Sequence, residues 1–252
     1  TPIVEFADRD RLTAAKTQEV IRSIEVSNEE PIVGNVQNAS ATEVKRRVYD
    51  TFPTQNRAVT QADYENVAYR MPGKFGSIKR VSVQRDPNSQ KRNLNMYVLS
   101  EDVYGNLVTT NNTIKNNLKT WLNNFRMMND TIDIVDPYVI NLGINFVAKI
   151  KIGADKYSTL NQAINQLKRR FKEKFYIGEQ VSITDIYAEL KRVDGILDVT
   201  KVQLINKTGV NYSGVNLDID RNLSPDGTYL IIPRNAVAEI KYPDTDIIGK
   251  FK

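Results

Sequence analysis

The sequence contains no cysteine and no histidine among its 252 residues. Their absence excludes disulfides, thiol nucleophiles, zinc sites built from cysteine and histidine, and catalytic sets that need a histidine base. A chain without cysteine fits a reducing compartment or an assembled particle. Several large enzyme classes are therefore excluded before any motif is considered.

Long hydrophobic runs are also missing. No apolar stretch approaches the roughly 20 residues that a transmembrane helix needs, and the polar start at residues 1–5 predicts no signal peptide. The first residue is Thr1 rather than Met, which predicts a fragment or a processed chain. The net charge of +5, with a pI of about 9.2, permits nucleic-acid binding without requiring it.

The order of helix, strand and turn signals predicts an α+β fold in four segments. Residues 1–39 read as a lead-in and linker, 40–137 as a first α+β unit, 138–206 as a second, and 207–252 as a β-rich C-terminal segment. Each unit is expected to be a small split β-α-β, ferredoxin-like arrangement with helices packed on mixed or antiparallel sheets.

Two helices are predicted before residue 55. The first covers residues 11–25, with an inward face of Ala14, Val20, Ile21 and Ile24. The second begins at Ser40, has Glu43 at the capping-box position, and ends at Pro53. Its predicted inward face consists of Val44, Val48, Tyr49 and Phe52.

The segment Arg57–Gly73 carries the clearest local signals. Thr60 and Asp63 stand at the capping-box distance, and Pro72 with Gly73 ends the helix. The predicted buried face consists of Tyr64, Val67, Ala68 and Met71. A hairpin of strands 78–85 and 93–100 is expected to follow.

The remainder alternates helices and strands. A helix over 111–128 has the apolar stripe Ile114, Leu118, Trp121, Leu122, Phe125 and Met128, and a strand or strand pair over 131–152 has an apolar residue at every second position from Tyr138 to Ile152. Further predicted elements are a helix over 158–175, a helix over 183–193 capped by Ser182, and strands over 196–205, 229–232 and 236–242.

A weak internal repeat joins the two units. Asp63 and Gly73 recur as Asp185 and Gly195 at an offset of 122 residues, each in a capped helix followed by an apolar strand. The alternative is chance, because this arrangement is common at helix ends.

Few residues suggest chemistry. Asp218 and Asp220 are candidate ligands for a hard cation such as calcium, but the loop lacks the further oxygen ligands that such a site needs. No carboxylate pair stands out as an acid and base. We therefore predict no catalytic, cofactor-binding or metal-binding residue, and no enzyme.

The densest positive charge is the stretch 168–175, around Arg169. One interpretation is a helix face that binds nucleic-acid phosphates. The other is a solvated helix face whose Phe171 and Phe175 belong to the core.

The segment Arg57–Gly73 resembles the signature of the baseplate J-like family of contractile phage tails. The order of elements over about residues 38 to 205 is similar to the C-terminal part of T-even type baseplate wedge proteins, which form the inner ring. The run Gly73–Ser77 is longer than the usual step into the strand in that family.

This resemblance implies a structural virion protein without catalysis. It implies partners that are other copies of the chain, as a dimer or ring, and neighbouring wedge subunits around the tail tube. It also implies a part in the switch that triggers sheath contraction, a location in the virion tail baseplate, and assembly in the host cytoplasm. A nucleic-acid-binding module that uses the helix around Arg169 is the alternative.

Overall fold

The computed structural model describes residues 14–23, 41–51, 57–86, 89, 93–102 and 105–252. The chain divides into two compact units, Thr1–Pro31 and Ile32–Lys252, which are described separately. In the described part of the chain, no helix has both the length and the apolar character needed to cross a membrane.

The unit Thr1–Pro31 contributes one described helix, α1 (Ala14–Ser23). It lies inside the predicted range 11–25. Val20 is exposed, so its predicted inward position is wrong. Ile24 and the side chains of Ala14 and Ile21 lie outside the described residues.

The described part of the unit Ile32–Lys252 is an α+β structure with two four-stranded sheets and one two-stranded sheet, which confirms the predicted class. The elements up to the first sheet are α2 (Ala41–Thr51), α3 (Gln61–Tyr69), a 3-10 turn (Gly73–Phe75), β1 (Arg80–Arg85), β2 (Asn93–Glu101), β3 (Leu107–Thr109), α4 (Asn112–Leu122) and β4 (Thr131–Val135).

Strand β2 is the centre of the first sheet. β1 pairs with it antiparallel along one edge, while β3 (antiparallel) and β4 (parallel) share the other edge. Helices α3 and α4 cover one face through buried apolar residues that include Tyr64, Val67, Ile114, Leu118 and Leu122. The predicted hairpin and the predicted buried face of α3 are therefore confirmed.

The remaining elements are β5 (Tyr138–Ile150), α5 (Lys156–Arg170), β6 (Val181–Ser182), α6 (Ile183–Lys191), β7 (Ile196–Asn206), α7 (Ile219–Asn222), β8 (Tyr229–Leu230), β9 (Ala236–Glu239), α8 (Pro243–Asp246) and β10 (Ile247–Phe251). Strands β6 and β8 pair antiparallel with each other as a separate two-stranded sheet.

Strand β5 is the centre of the second sheet. β7 pairs with it antiparallel along one edge, and β9 and β10 pair with it in parallel, one after the other, along the opposite edge. Helices α5 and α6 cover one face, where Phe146, Leu167 and Leu190 are buried. Both sheets therefore have a long central strand, one antiparallel edge strand, and two short strands on the other edge.

A small apolar cluster joins the two sheets: Leu99 and Leu107 of the first sheet pack with Ile177 and with Val237 of β9. Along the chain, only Asp136 and Pro137 separate β4 from β5. The Asp136 carboxylate also accepts a hydrogen bond from Lys115 Nζ of α4 at 2.7 Å. The two-residue link is thus tied to the first sheet's helix layer.

The capped helices of the predicted repeat are present. Thr60 and Asp63 form a full capping box on α3, and Ser182 accepts from the Asp185 N–H at the start of α6. The two glycines differ, because Gly195 has a φ of +95° and Gly73 lies in the 3-10 turn. The residue with a positive φ before β1 is Gly76, at +109°.

Several sequence predictions are wrong in detail. Met128, Tyr138 and Ile152 are exposed rather than buried, because Met128 and Ile152 lie beyond the ends of α4 and β5 and Tyr138 is the first residue of β5. Strand β10 was not predicted. Ser40, Phe52 and Pro53 lie outside the described residues.

Candidate functional site

Helix α2 lies with a charged residue toward the protein and its apolar residues toward solvent. Glu43 is buried and accepts a hydrogen bond from Arg80 Nη1 at 2.5 Å. At roughly 100° per residue, Val48 lies about 140° around the helix from Glu43. Val44, Val48 and Tyr49 are 47%, 66% and 81% exposed. The predicted inward face of this helix is therefore wrong.

Arg80 of β1 fixes this orientation, and it has no exposed surface. Its Nε donates to the Phe175 carbonyl at 2.9 Å, Nη1 donates to the Lys79 carbonyl at 3.1 Å, and Nη2 donates to the Lys174 carbonyl. A buried guanidinium is tolerated when its donors and its charge are matched in this way. Arg80 therefore ties α2 and β1 to the segment that follows α5.

The ring of Tyr176 completes this contact. The guanidinium carbons of Arg46 and Arg80 lie 4.5 Å and 4.3 Å from the ring centroid, within the range of cation–π attraction. The cavity beside these residues measures about 40 Å³, too little for a small-molecule ligand. The arrangement holds protein segments together and offers no binding cleft.

A second buried contact joins the two sheets at Glu239 of β9. Its Oε1 lies 3.0 Å from Lys174 Nζ and accepts from the Leu107 N–H at 2.9 Å. Its Oε2 accepts from Asn141 Nδ2 at 3.2 Å. One carboxylate thus links β9 and β5 of the second sheet with β3 of the first.

We call these contacts the charged joint. Its three buried carboxylates each lie beside a cation: Glu43 beside Arg80, Glu101 beside Lys79, and Glu239 beside Lys174. Each of these carboxylates is held in the protein interior by an ion pair. Sequence reasoning missed the joint because its members lie far apart in the chain.

Some outward N–H groups of both antiparallel edge strands are capped by helix side chains. In β1 the Val81 N–H donates to Tyr69 Oη at 2.9 Å, and the Val83 N–H donates to Glu65 Oε1 at 2.8 Å. In β7 the Val202 N–H donates to Tyr187 Oη at 3.0 Å. Capping removes donors that an added strand would need, so these positions do not favour association by strand addition.

The candidate calcium residues serve local structure. Asp218 Oδ1 accepts from the Arg221 N–H at 3.2 Å and caps the four-residue helix α7, and Asp220 is exposed beside it. Among the residues described, no group of three or more histidine, cysteine, aspartate or glutamate side chains is placed to hold a metal.

The basic stretch around Arg169 is partly neutralised. Lys168 forms an ion pair with Asp244, and Arg170 lies 3.5 Å from an oxygen of Asp185. Arg169 lines a polar groove between α5 and the end of α6, with Arg192 on the other side. The stretch therefore presents less free charge than its sequence suggests.

No family model and no curated protein matches the chain. Its structure is similar to one chain of the anti-feeding prophage (AFP) baseplate, a six-fold symmetrised cryo-EM structure, with a TM-score of 0.49 and 13% sequence identity. The match covers 80% of this chain and 41% of that one, so this chain spans about two fifths of its neighbour's length.

Proposed function

We propose that this chain is a structural component of a contractile phage tail baseplate and acts through protein–protein contacts. It associates with itself and with neighbouring wedge subunits to form the ring around the tail tube, and it takes part in the switch that triggers sheath contraction. Its place is the virion tail, after assembly in the host cytoplasm. The resemblance of Arg57–Gly73 to the baseplate J-like signature supports this assignment.

The residues of that signature act in folding. Thr60 and Asp63 cap α3, and the Tyr64 hydroxyl donates to Asp130 at 2.7 Å while it accepts from the Met127 N–H at 3.1 Å. A signature made of a helix cap and a buried tyrosine is typical of a scaffold rather than of a reaction centre.

The observation that carries the proposal is the outward apolar surface of α2. Val44, Val48 and Tyr49 are exposed, although the Glu43–Arg80 contact fixes the helix from its other side. An anchored helix that presents apolar side chains gains free energy when a partner covers them. These residues supply the apolar centre of an interface, and the exposed Lys45 supplies part of its polar rim.

Sedimentation equilibrium over a wide concentration range tests the proposal. We expect the chain to form a reversible dimer or larger ring-like species, and Val48→Asp to shift it toward monomer because a charge enters the apolar contact. Val210→Asp makes the same change at a fully exposed loop position and is the matched control.

A strictly monomeric wild type at the highest concentration would refute self-association. Equal weakening by both substitutions would refute the assignment to α2. The nucleic-acid alternative is less favoured, because Lys168 and Arg170 of the basic stretch are already in ion pairs.

A further inference from the structure

The second sheet leaves part of one face open. Val147 on β5 stands in register with Lys201 of β7 on one side and with Lys250 of β10 on the other. Residues in register point to the same face of a sheet, and Lys149 follows two residues along β5. The lysines at 149, 201 and 250 are all exposed. We call this surface, with Val147 at its centre, the lysine face.

The positive charge of the lysine face is offset at Lys149, which attracts the Asp198 carboxylate, but remains at Lys201 and Lys250. In the described part of the chain no carboxylate pairs with Lys201 or Lys250. Asp198 stands in register with Lys149 but forms its ion pair with Lys191 at 3.3 Å. Strands lie about 4.8 Å apart, so the lysines of β7 and β10 are separated by roughly 10 Å at their Cα atoms. At this spacing their charges still repel one another at moderate salt.

The centre of the lysine face is apolar and amide-bearing rather than aromatic. The next row consists of Asn145, with Gln203 and Ile248 in register on either side. Ile248 is 44% exposed. Single-stranded nucleic acid is held by aromatic side chains on which bases stack, and this face offers none. An apolar centre with a cationic rim matches an acidic protein surface instead.

We propose that the lysine face is a docking surface for a neighbouring protein subunit that presents carboxylates about 7–10 Å apart around an apolar residue. This inference rests on the proposed assembly function and names the chemistry of one partner. The surface lies on a different element from α2, so the chain has two separate contacts, one apolar and one electrostatic.

A short peptide of alternating valine and glutamate is the probe. In extended form its carboxylates lie about 7 Å apart on one face and its valines lie on the opposite face, so the peptide tests the electrostatic part of the contact. Fluorescence anisotropy at low ionic strength measures binding to the full chain. We expect binding that weakens steeply with salt, and no binding of the matching valine–glutamine peptide.

Charge reversal tests the location. The double variant Lys201→Glu/Lys250→Glu should bind the acidic peptide at least about tenfold more weakly than wild type. The control Lys119→Glu/Lys156→Glu changes net charge equally at exposed positions on α4 and α5, and should stay within about twofold.

Three results would overturn the proposal. The first is that the wild type does not bind the acidic peptide, and the second is that both double variants lose equal affinity for it. The third is that the wild type binds an oligothymidine probe more tightly than the peptide and the Lys201/Lys250 variant does not bind that probe. A chain that is monomeric in sedimentation but binds the peptide would refute self-association alone. A chain that self-associates but does not bind the peptide would refute only the proposal that the lysine face is a docking surface.

Discussion

The two sheets of this protein have the same plan but differ in what covers their second face. In the first sheet one face holds helices α3 and α4, and part of the other is buried against the second sheet. Leu99 and Arg80 have no exposed surface there, and Glu101 is 3% exposed. In the second sheet, α5 and α6 cover one face, and Lys201 and Lys250 stand exposed on the other.

The comparison shows how the same residue types take different roles. On a covered face, each charged residue forms an ion pair with one residue of opposite charge, and the pair holds two segments of the protein together. Arg80 and Glu43 are an example. On the open face of the second sheet, Lys201 and Lys250 have no carboxylate partner among the described residues. The role of a charged residue in a strand can therefore be inferred only when it is known whether that face of the sheet is covered by other parts of the protein.

Among the substitutions that test the contrast between covered and open faces, Arg80→Met should have the largest effect. It removes the cation beside buried Glu43 and the bonds to three backbone carbonyls, so we expect a loss of about 3–5 kcal/mol in the free energy of unfolding. Lys201→Met makes a similar change on the open face and should cost less than about 0.5 kcal/mol. Urea unfolding measures both, and similar losses would remove the distinction between the faces.

Substitution of two glycines tests the packing between each sheet and the helices that cover it. We expect a similar loss of stability in the two sheets. A Cβ at Gly76 would lie 2.6 Å from Ile114 Cγ1 at a φ of +109°, and a Cβ at Gly249 would clash with the ring of Phe146. Each Gly→Ala change should cost about 1–3 kcal/mol. Gly214→Ala, which meets no atom within 4 Å, is the control for urea unfolding. If Gly249→Ala caused no loss of stability, the helix layer of the second sheet would be packed less tightly than that of the first.

The capped edges give a smaller effect. Tyr69→Phe uncaps the Val81 N–H of β1, and Tyr187→Phe uncaps the Val202 N–H of β7. Each should cost about 0.5–1.5 kcal/mol, the net contribution of one hydrogen bond. Amide hydrogen exchange at Val81 and Val202 should become faster in the respective variant. Unchanged exchange would show that the hydroxyls do not protect the edges.

The smallest effect concerns Tyr212, which lies in the loop beside the second sheet. Its hydroxyl donates to buried Asp246 at 2.6 Å, and this bond, followed by burial, raises the pKa of Tyr212. A raised pKa means that the contribution is full below about pH 10, the usual tyrosine value, and is lost as pH rises above it.

Urea unfolding of wild type and Tyr212→Phe at several pH values measures this contribution. The variant should be less stable by about 1 kcal/mol at pH 8. The difference should shrink toward zero on the alkaline side of pH 10. A difference that does not change with pH would mean that the bond to Asp246 is not its source.

The features that could be predicted from the sequence are those set by residues close together in the chain. The caps at Thr60 and Ser182 and the buried face of α3 are set by residues three or four positions apart, and the structure confirms them. The domain boundaries at 39, 137 and 206 stay predictions.

The orientation of α2 could not be predicted in the same way. Periodicity locates the stripe of Val44 and Val48 but does not say which side of the helix is inward. That choice depends on Arg80, 37 residues beyond Glu43. Strand β10 was missed because its pairing with β5 spans about a hundred residues and its own five residues show no clear alternation.

The link between the sheets has a mechanical consequence. Asp136 and Pro137 are the only residues between a strand of the first sheet and the central strand of the second. Proline has a fixed φ, and Asp136 is held by Lys115, so this connection has few torsions left to absorb a pull. A load applied to one sheet is therefore transmitted along the backbone to the middle of the other.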